Sequence, residues 1–441
     1  MATSPTDLTG LFKEVYGDEI INLIPDSAKN TKLIEFVSAD QQTGNKYHQP
    51  VIVQHEHGIT YAGPNAGAFL LEEAVTMKMQ DAQIEGSQMV LRSALSYAAA
   101  SRASKDGAKS FKKATVLQVQ NMLESITKRA EISILHGQMG IGDIAIAGFD
   151  ETGIDATTAT FVVTEATFAD GIWAGSTGAK LVFFSDSSLT ISAGTNLDTN
   201  SDANKNLTIT AVDIDTRTIT VTGSAGAIED INDISATKAL RIYFKTAVQG
   251  TGLSFEFNEM AGIHKIMVNT GTLFNINAAV YDLWKGNVAT VSGALTFAKV
   301  LAQVSKPVSR GGLDEEIVLE VHPRTWENLN SDLAALRMFD SSYKKDEGEL
   351  GNQEICYYGQ SGKIKVIGFN LVKREQAFLF PPARLKRVGS QEISFKTPSK
   401  DDEIFLQLPN NAGFEMRCYT DQAVLIETPA KCLYLSGFTN A

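Results

Sequence analysis

The stretch 46–92 restricts most what this chain can become. Two β-rich runs, KYHQPVIVQHEHGITYAG and EEAVTMKMQDAQIEGSQMVL, flank the turn-rich GPNAGAF. In the second run Val75, Met77 and Met79 alternate with Thr76, Lys78 and Gln80, which places the two sets on opposite faces of a strand. The pattern predicts one long hairpin. Two strands alone are marginally stable in water. A hairpin of this length therefore needs a surface to lie on, in its own chain or in another.

What flanks the hairpin is equally patterned. Residues 1–45 carry short apolar clusters, Leu8, Leu11, Phe12, Val15 and Tyr16, then Ile20, Ile21, Leu23 and Ile24, before Pro25-Asp26-Ser27. They read as an N-terminal arm whose apolar stripe is buried either on its own domain or on a neighbouring subunit. Residues 93–136 are the best helical stretch: SALSYAAASRAS is Ala-rich, and Val116, Val119, Leu123, Ile126, Ala130 and Ile134 recur at steps of three and four. From Lys112 to His136 such a helix spans about 37 Å, with Gly137 in the position of a C-terminal cap. Its other face carries Lys112, Lys113, Lys128 and Arg129, with Lys105 and Lys109 upstream. That face is either solvated or turned toward phosphates.

The character changes at 141–250. The span 150–245 holds 17 Thr, and short β-rich runs such as ATFVVTEATF, KLVFFS and NLTITAVDIDTRTITVTG alternate with turns. This predicts an all-β insert of six to eight strands, closed as a small barrel or sandwich, with DIDT as a hairpin turn. Residues 251–441 read as α/β. LTFAKVLAQVSKP is a helix stopped before Pro307, EEIVLEVHP a buried strand, and PRTWENLNSDLAALRMF a helix with proline in its first turn. SSYKKDEGELGNQE is a polar loop, and IKVIGFNLVK, AFLFPP, EISFKT, EIFLQL, AVLIET and CLYLS are strands.

Composition narrows the function. In 441 residues, 22 Phe and 11 Tyr supply ample core surface, so disorder is excluded. No run approaches the roughly 18 uncharged apolar residues of a membrane helix, and the N-terminus has no secretory pattern. Cys356, Cys418 and Cys432 match neither a zinc pattern nor a disulfide framework and fit a reducing cytosol. The net charge of −12 makes the whole chain a poor polyanion binder, so nucleic-acid contact is local or weak. No catalytic constellation can be assembled. Tyr358 to Ile364 looks superficially like a nucleotide loop, but Tyr357 stands where a glycine is required and Ile364 replaces the magnesium-binding Ser/Thr. Gly137, Gly140 and Gly142 follow a helix rather than a strand, unlike a dinucleotide fingerprint. His55 and His57 share one strand face with no third ligand, since His48 falls on the other face. There is no Gly-x-Ser-x-Gly elbow. The expectation is no enzyme, no cofactor and no metal.

The order of parts, arm, extended hairpin, long helix, β-rich insert and an α/β lobe containing VLEVHPRTWENL, resembles the tailed-bacteriophage major capsid proteins of the Hong Kong ninety-seven fold. The resemblance implies an α+β fold divided into an N-terminal arm (1–45), an elongated hairpin loop (46–92), a peripheral domain with a spine helix (93–140), a β-rich insertion domain (141–250) and an axial domain with returning peripheral strands (251–441). It implies self-assembly into pentamers and hexamers of an icosahedral head around double-stranded DNA. Neighbouring capsomers would meet through the arm and the elongated loop. It also implies a portal, a separate scaffolding protein, a virion location after assembly in the host cytoplasm, and no membrane partner, while the insert either binds a decoration protein or a host surface or stabilises contacts between capsomers. Lys109, Lys112, Lys113, Lys128 and Arg129 are then the candidate DNA-facing residues. Some members crosslink through a lysine of the elongated loop; residues 61–71 contain none, so no crosslink is expected. The alternatives are an encapsulin-like compartment shell and a surface or glycan-binding protein acting through the insert.

Overall fold

The computed structural model describes residues 28–37, 46–96, 114–153, 156–185, 195–196, 206–251, 254–331, 355–360, 362–395, 405–407 and 413–439. The apolar clusters at 8–24, the polar loop at 341–354 and Lys105, Lys109, Lys112 and Lys113 lie outside them.

A helical turn, α1 (Asn30–Leu33), leads into β1 (Glu35–Val37). The hairpin β2 (Tyr47–Gln54) and β3 (Lys78–Ile84) precedes β4 (Ser87–Ser96) and the long helix α2 (Ala114–His136). Then come β5 (Gly142–Glu151), β6 (Thr158–Val163), α3 (Asp170–Trp173), β7 (Lys180–Ser185), β8 (Thr195–Asn196), β9 (Leu207–Asp213), β10 (Thr218–Thr222), α4 (Ala225–Ser235) and β11 (Leu240–Phe244). Two small hairpins follow, β12 (Val248–Thr251) with β13 (Ser254–Phe257), and, after α5 (Ile263–Val268), β14 (Thr272–Leu273) with β15 (Ile276–Asn277). The remainder is β16 (Asn287–Thr290), α6 (Phe297–Gly311), β17 (Ile317–Val321), α7 (Pro323–Asn330), β18 (Ile355–Gly359), β19 (Gly362–Gly368), β20 (Gln376–Phe380), β21 (Leu385–Ser394), β22 (Phe405–Gln407), β23 (Gly413–Ile426) and β24 (Leu433–Ser436).

Three sheets carry the molecule. A mixed six-stranded sheet runs β16-β24-β20-β17-β19-β18. Its central strand β17, Ile317–Val321, is buried along its whole length, as a strand covered on both faces must be. His322 then caps α7, its Nδ1 accepting from the Arg324 amide, with Pro323 in the first turn where its missing N–H costs nothing. The second sheet is built on the 14-residue β23, which pairs with β21, β22 and β4. Helix α2 lies on it through Met122 and Ile126 against Met416 and Cys418. The third is a closed barrel, β11-β5-β6-β10-β9-β7, sealed by pairing of β7 with β11. Closure leaves no free edge among those six strands. Alternation on β6, β9 and β10 sends Ala159, Phe161, Val163, Leu207, Ile209, Ile219 and Val221 inward, where Phe161 packs against Phe149, Phe183 and Trp173 at ring separations of 6.0, 5.7 and 6.4 Å.

Several details depart from the sequence pattern. The hairpin arm ends at Ile84, because the ladder passes to β23 from Ser87 onward. On α2 the buried row is Met122, Ile126, Ala130 and Ile134, while Leu123 is exposed. Gly137 is required by close approach, not by a left-handed backbone: a Cβ there would sit 2.2 Å from the Met260 carbonyl, and the left-handed residue is Gln138 (φ 63). The insert also carries α4, whose Ala227, Ile228 and Ile231 are buried. Helix α6 does not stop before Pro307. Phe297, Val300, Val304 and Pro307 form its buried row, and it ends only at left-handed Gly312, whose amide reaches the Val308 carbonyl. The Pro307 ring fills a place on the core-facing side, so packing outweighs the loss of one helix hydrogen bond.

Candidate assembly surfaces

The base of the β2–β3 hairpin belongs to the body. Ala82 and Ile84 are fully buried. The Gln83 amide donates to the Phe274 carbonyl (3.1 Å), Asn275 donates to the Asp81 carbonyl (3.3 Å), and Lys78 lies over the Tyr281 ring. Phe274 and Asn275 are both left-handed (φ 53 and 64), which gives the tight β14–β15 turn that receives the hairpin. Beyond Lys78 the described contacts with the body end. Nine of the seventeen exposed large apolar side chains among the described residues fall between Ile52 and Met79, including Tyr61 at 90%, Leu70 at 94% and Leu71 at 79%. Val280 and Leu283, either side of the Tyr281 that meets Lys78, are exposed as well. Large apolar side chains concentrated in this way make the hairpin a candidate interaction surface. Glu72 and Glu73 follow the apolar triplet Phe69-Leu70-Leu71 directly and are exposed.

A groove of about 430 Å³ opens between the start of β4, the middle of α2 and the barrel, lined by Met89, Leu91, Ile126, Phe244, Arg129 and Glu259 among others. Arg129 stands over the Phe244 ring, 3.1 Å from its centroid, and its Nη1 is buried without a hydrogen-bond partner. Burial pushes its guanidinium down to about 10, opposed by the charge of Glu259. Lys128, its neighbour, donates to the Ala174 carbonyl and is brought down to about 8 by burial and by Arg129. Of the five basic residues singled out from sequence, these two thus sit half-buried against the insert, while Lys109, Lys112 and Lys113 are outside the described residues.

The N-terminal piece 28–37 packs on its own chain. Glu131 of α2 accepts from the Asn30 amide (3.0 Å) and from the Thr31 amide and hydroxyl (both 2.7 Å). β1 pairs in parallel with β21, and Ile34 is buried in the main core. The other motifs resolve as turns and loops. Gly359 faces Gly362 across the β18–β19 turn, so the phosphate-loop lookalike is a hairpin. Asp213 accepts from the Asp215 and Thr216 amides and the Thr216 hydroxyl, closing the DIDT turn; these bonds, the Thr216 hydroxyl first, hold its carboxyl below the usual range. β2 ends before His55, and His57 forms a single bridge with Val75. Among the described residues no group of three or more His, Cys, Asp or Glu is arranged to hold a metal, and no helix is long and apolar enough to cross a membrane.

Sequence reasoning missed an ion network that ties barrel to lobe. Arg374, 2% exposed, donates to Glu165 (2.8 Å) and Asp170 (2.7 Å) and stacks on Phe168, while His322 bonds Asp170 at 2.6 Å. Burial alone would raise the Asp170 carboxyl, but the bonds from His322 and Arg374 outweigh it and hold it well below the carboxylate range. The partners lie 152 to 209 residues apart, so no local spacing could reveal them.

No protein-family model and no curated protein matches the chain. Among solved structures, the cyanophage A-1(L) capsid asymmetric unit aligns over 97% of this chain and 100% of its own, at TM-score 0.51 and 9% identity. The fold is that of a phage capsid subunit. Lower similarity extends to the capsid of a native GTA particle (TM-score 0.47, 6% identity, 98% of this chain and 96% of that one). It extends also to the holo-SrpI encapsulin complex from Synechococcus elongatus PCC 7942 (TM-score 0.42, 6% identity, 99% and 96%).

Proposed function

We propose that the chain is a major capsid protein that self-assembles into pentamers and hexamers of an icosahedral phage head around double-stranded DNA. The observation that carries this reading is the β2–β3 hairpin, anchored at its base and solvent-exposed over its apolar outer half. Such a projection finds burial when it lies across a sister subunit, and a heterologous contact repeated by rotation closes a ring. The proposed receiving surface is the groove beside α2. Its apolar lining suits Phe69, Leu70 and Leu71, and the unpartnered Nη1 of Arg129 suits Glu72 or Glu73. The role is structural, not enzymatic. The domain division follows the five spans given above, with the hairpin portion ending at Ile84. A separate scaffolding protein, a portal, a decoration protein held by the barrel, assembly in the host cytoplasm and residence in the virion belong to the same proposal.

Expression of the full chain, with or without a scaffolding partner, should yield closed shells in negative stain. Their contents decide between readings. Nuclease-protected double-stranded DNA in particles from a complete infection supports the capsid, whereas protein cargo alone supports an encapsulin-like compartment. A chain that stays monomeric at high concentration under all these conditions defeats both. For Lys109, Lys112 and Lys113 we propose a DNA-facing role on the inner wall, where a few cations offset phosphate repulsion; Lys128 and Arg129 serve the barrel and groove contacts instead. Lys112→Glu with Lys113→Glu should lower DNA retention at unchanged shell yield, and equal DNA content per particle would refute it.

A further inference from the structure

We propose that the joint between barrel and body is an acid-sensitive latch, opened when His136 and His264 take up protons. His136 is the last residue of α2 and His264 lies in α5; their rings meet edge to face with centroids 6.0 Å apart. They are 2% and 5% exposed. His136 Nε2 is 2.9 Å from the Leu371 carbonyl. A carbonyl only accepts, so Nε2 carries the hydrogen and Nδ1 holds a bare lone pair. That Nδ1 is buried without a partner, and so is Nδ1 of His264. A proton arriving from water would add there, forming an N–H bond in a pocket with no acceptor for it.

The surroundings compound the cost. Lys373, itself buried, donates its Nζ to the Gly140 carbonyl (3.0 Å). Arg241 is paired with Asp143 at 2.9 Å, so that carboxylate is already engaged. Lys265 adds a cation beside His264 on α5. Phe378 and Tyr434 close the remaining side, with the Tyr434 ring 4.5 Å from His264. The charges acting on the imidazoles are therefore cations, Lys373 on both and Arg241 and Lys265 on His264, with each imidazole facing the other. Burial first, then Lys373, holds both imidazoles well below their ordinary value of 6.5.

Location turns this into a device. Asp143 lies at the start of β5 and Arg241 at the end of the barrel circuit on β11, and the Ile141 amide bonds the Ile242 carbonyl at 2.8 Å. These two strands are the barrel's roots in the body. Repulsion at the imidazoles acts on the two strands that tether the barrel, while the barrel's own aromatic core lies elsewhere. The folded values are depressed, so the closed joint keeps its full stability above about pH 6.5 and loses it as pH falls below that value. Each pH unit below it multiplies the opening equilibrium by up to ~10 per imidazole, up to ~100 for the two together. The inference concerns the subunit and stands whether or not the chain builds a head.

Amide hydrogen exchange on the full chain between pH 7.5 and 5.0, corrected for intrinsic rates, tests it. Protection at 140–144, 240–244 and 263–268 should fall about 10- to 100-fold from pH 6.5 to 5.5, while 159–163 and 219–221 stay protected. The variant H136Q/H264Q cannot charge, and its amide can still donate to Leu371; its protection at the joint should stay flat. Wild-type protection unchanged down to pH 5, or a variant that opens over the same range, overturns the proposal. Should the double variant fail to fold, imidazole ¹³C shifts of the wild type decide. Rings that stay neutral until protection is lost support the latch, and rings that titrate near 6.5 with the joint still closed refute it.

Discussion

Replacing Phe69, Leu70 and Leu71 together by Ser should abolish particle formation and leave the subunit folded. The asymmetry follows from where these side chains are. Leu70 and Leu71 are 94% and 79% exposed and Phe69 is 52% exposed, so the isolated subunit has little to lose and its Tm should move by no more than about 2 °C, as for other surface changes. In an assembled ring the same three side chains would be buried. Full burial of a large apolar side chain contributes about 1.5–3 kcal/mol, so each docked tip loses about 4.5–9 kcal/mol, at least about a thousandfold in the association constant per contact. A closed ring multiplies that loss around its circumference. Sedimentation and negative stain of the triple variant beside wild type provide the check; particles at wild-type yield would show that the hairpin tip plays no part in assembly. Arg129→Met keeps the contact with Phe244 and removes the cation, so it separates the groove from the tip. Assembly should weaken by more than the change in the isolated subunit's Tm accounts for if Glu72 or Glu73 docks there.

How much of this was legible in the sequence depends on how local each signal is. The hairpin, the strand and helix of Ile317–Asn330, the DIDT turn and the β-rich insert, read as a barrel or a sandwich, rest on period-two alternation, on Pro323 at a helix start and on turn residues a few positions apart. Those signals survive tertiary context. Where packing decides, the local rule gave way. Pro307 sits inside α6 because its ring faces the core. The hairpin arm ends early because Gly86 meets Asp421, where a Cβ would lie 2.1 Å from the carboxylate, and the chain there joins β23. Helix α4 did carry a helical spacing in Ala227, Ile228 and Ile231, but the Thr-rich strands around it dominated the pattern. For the candidate surfaces, the hairpin was visible as a strand pair lacking a partner. The groove and the His136–His264 joint were not, because their residues come from separate segments, 87–91, 125–133 and 244–259 for the groove and positions 136 and 264 for the joint.

The ion network around Arg374 is the least legible part and carries the other large expected effect. Arg374→Met should destabilise the chain by about 3–5 kcal/mol, the usual cost of removing one partner from a buried charge cluster, and lower the calorimetric midpoint by about 3–5 °C for a chain of 441 residues. Methionine fills much of the same volume against Phe168, so what is lost is charge rather than packing. Asp170 is then left facing His322 alone. The pH dependence distinguishes this from a packing defect. With Arg374 present the folded carboxyl of Asp170 is held well below its unfolded value. Its contribution is therefore complete above about pH 4, the ordinary Asp range, and is lost as pH falls through the folded value. Without Arg374 that contribution is reduced, so wild type and variant should differ most at neutral pH and converge as the carboxyl protonates in acid. A destabilisation below about 1 kcal/mol, or one constant from pH 7 to pH 3, would mean that the guanidinium is a spectator. Glu165 and Asp170 sit between β6 and β7 of the barrel, while His322 caps α7 and Arg374 precedes β20, so a single guanidinium shared between two carboxylates bonds the barrel to the lobe, and its loss should be felt at that joint first.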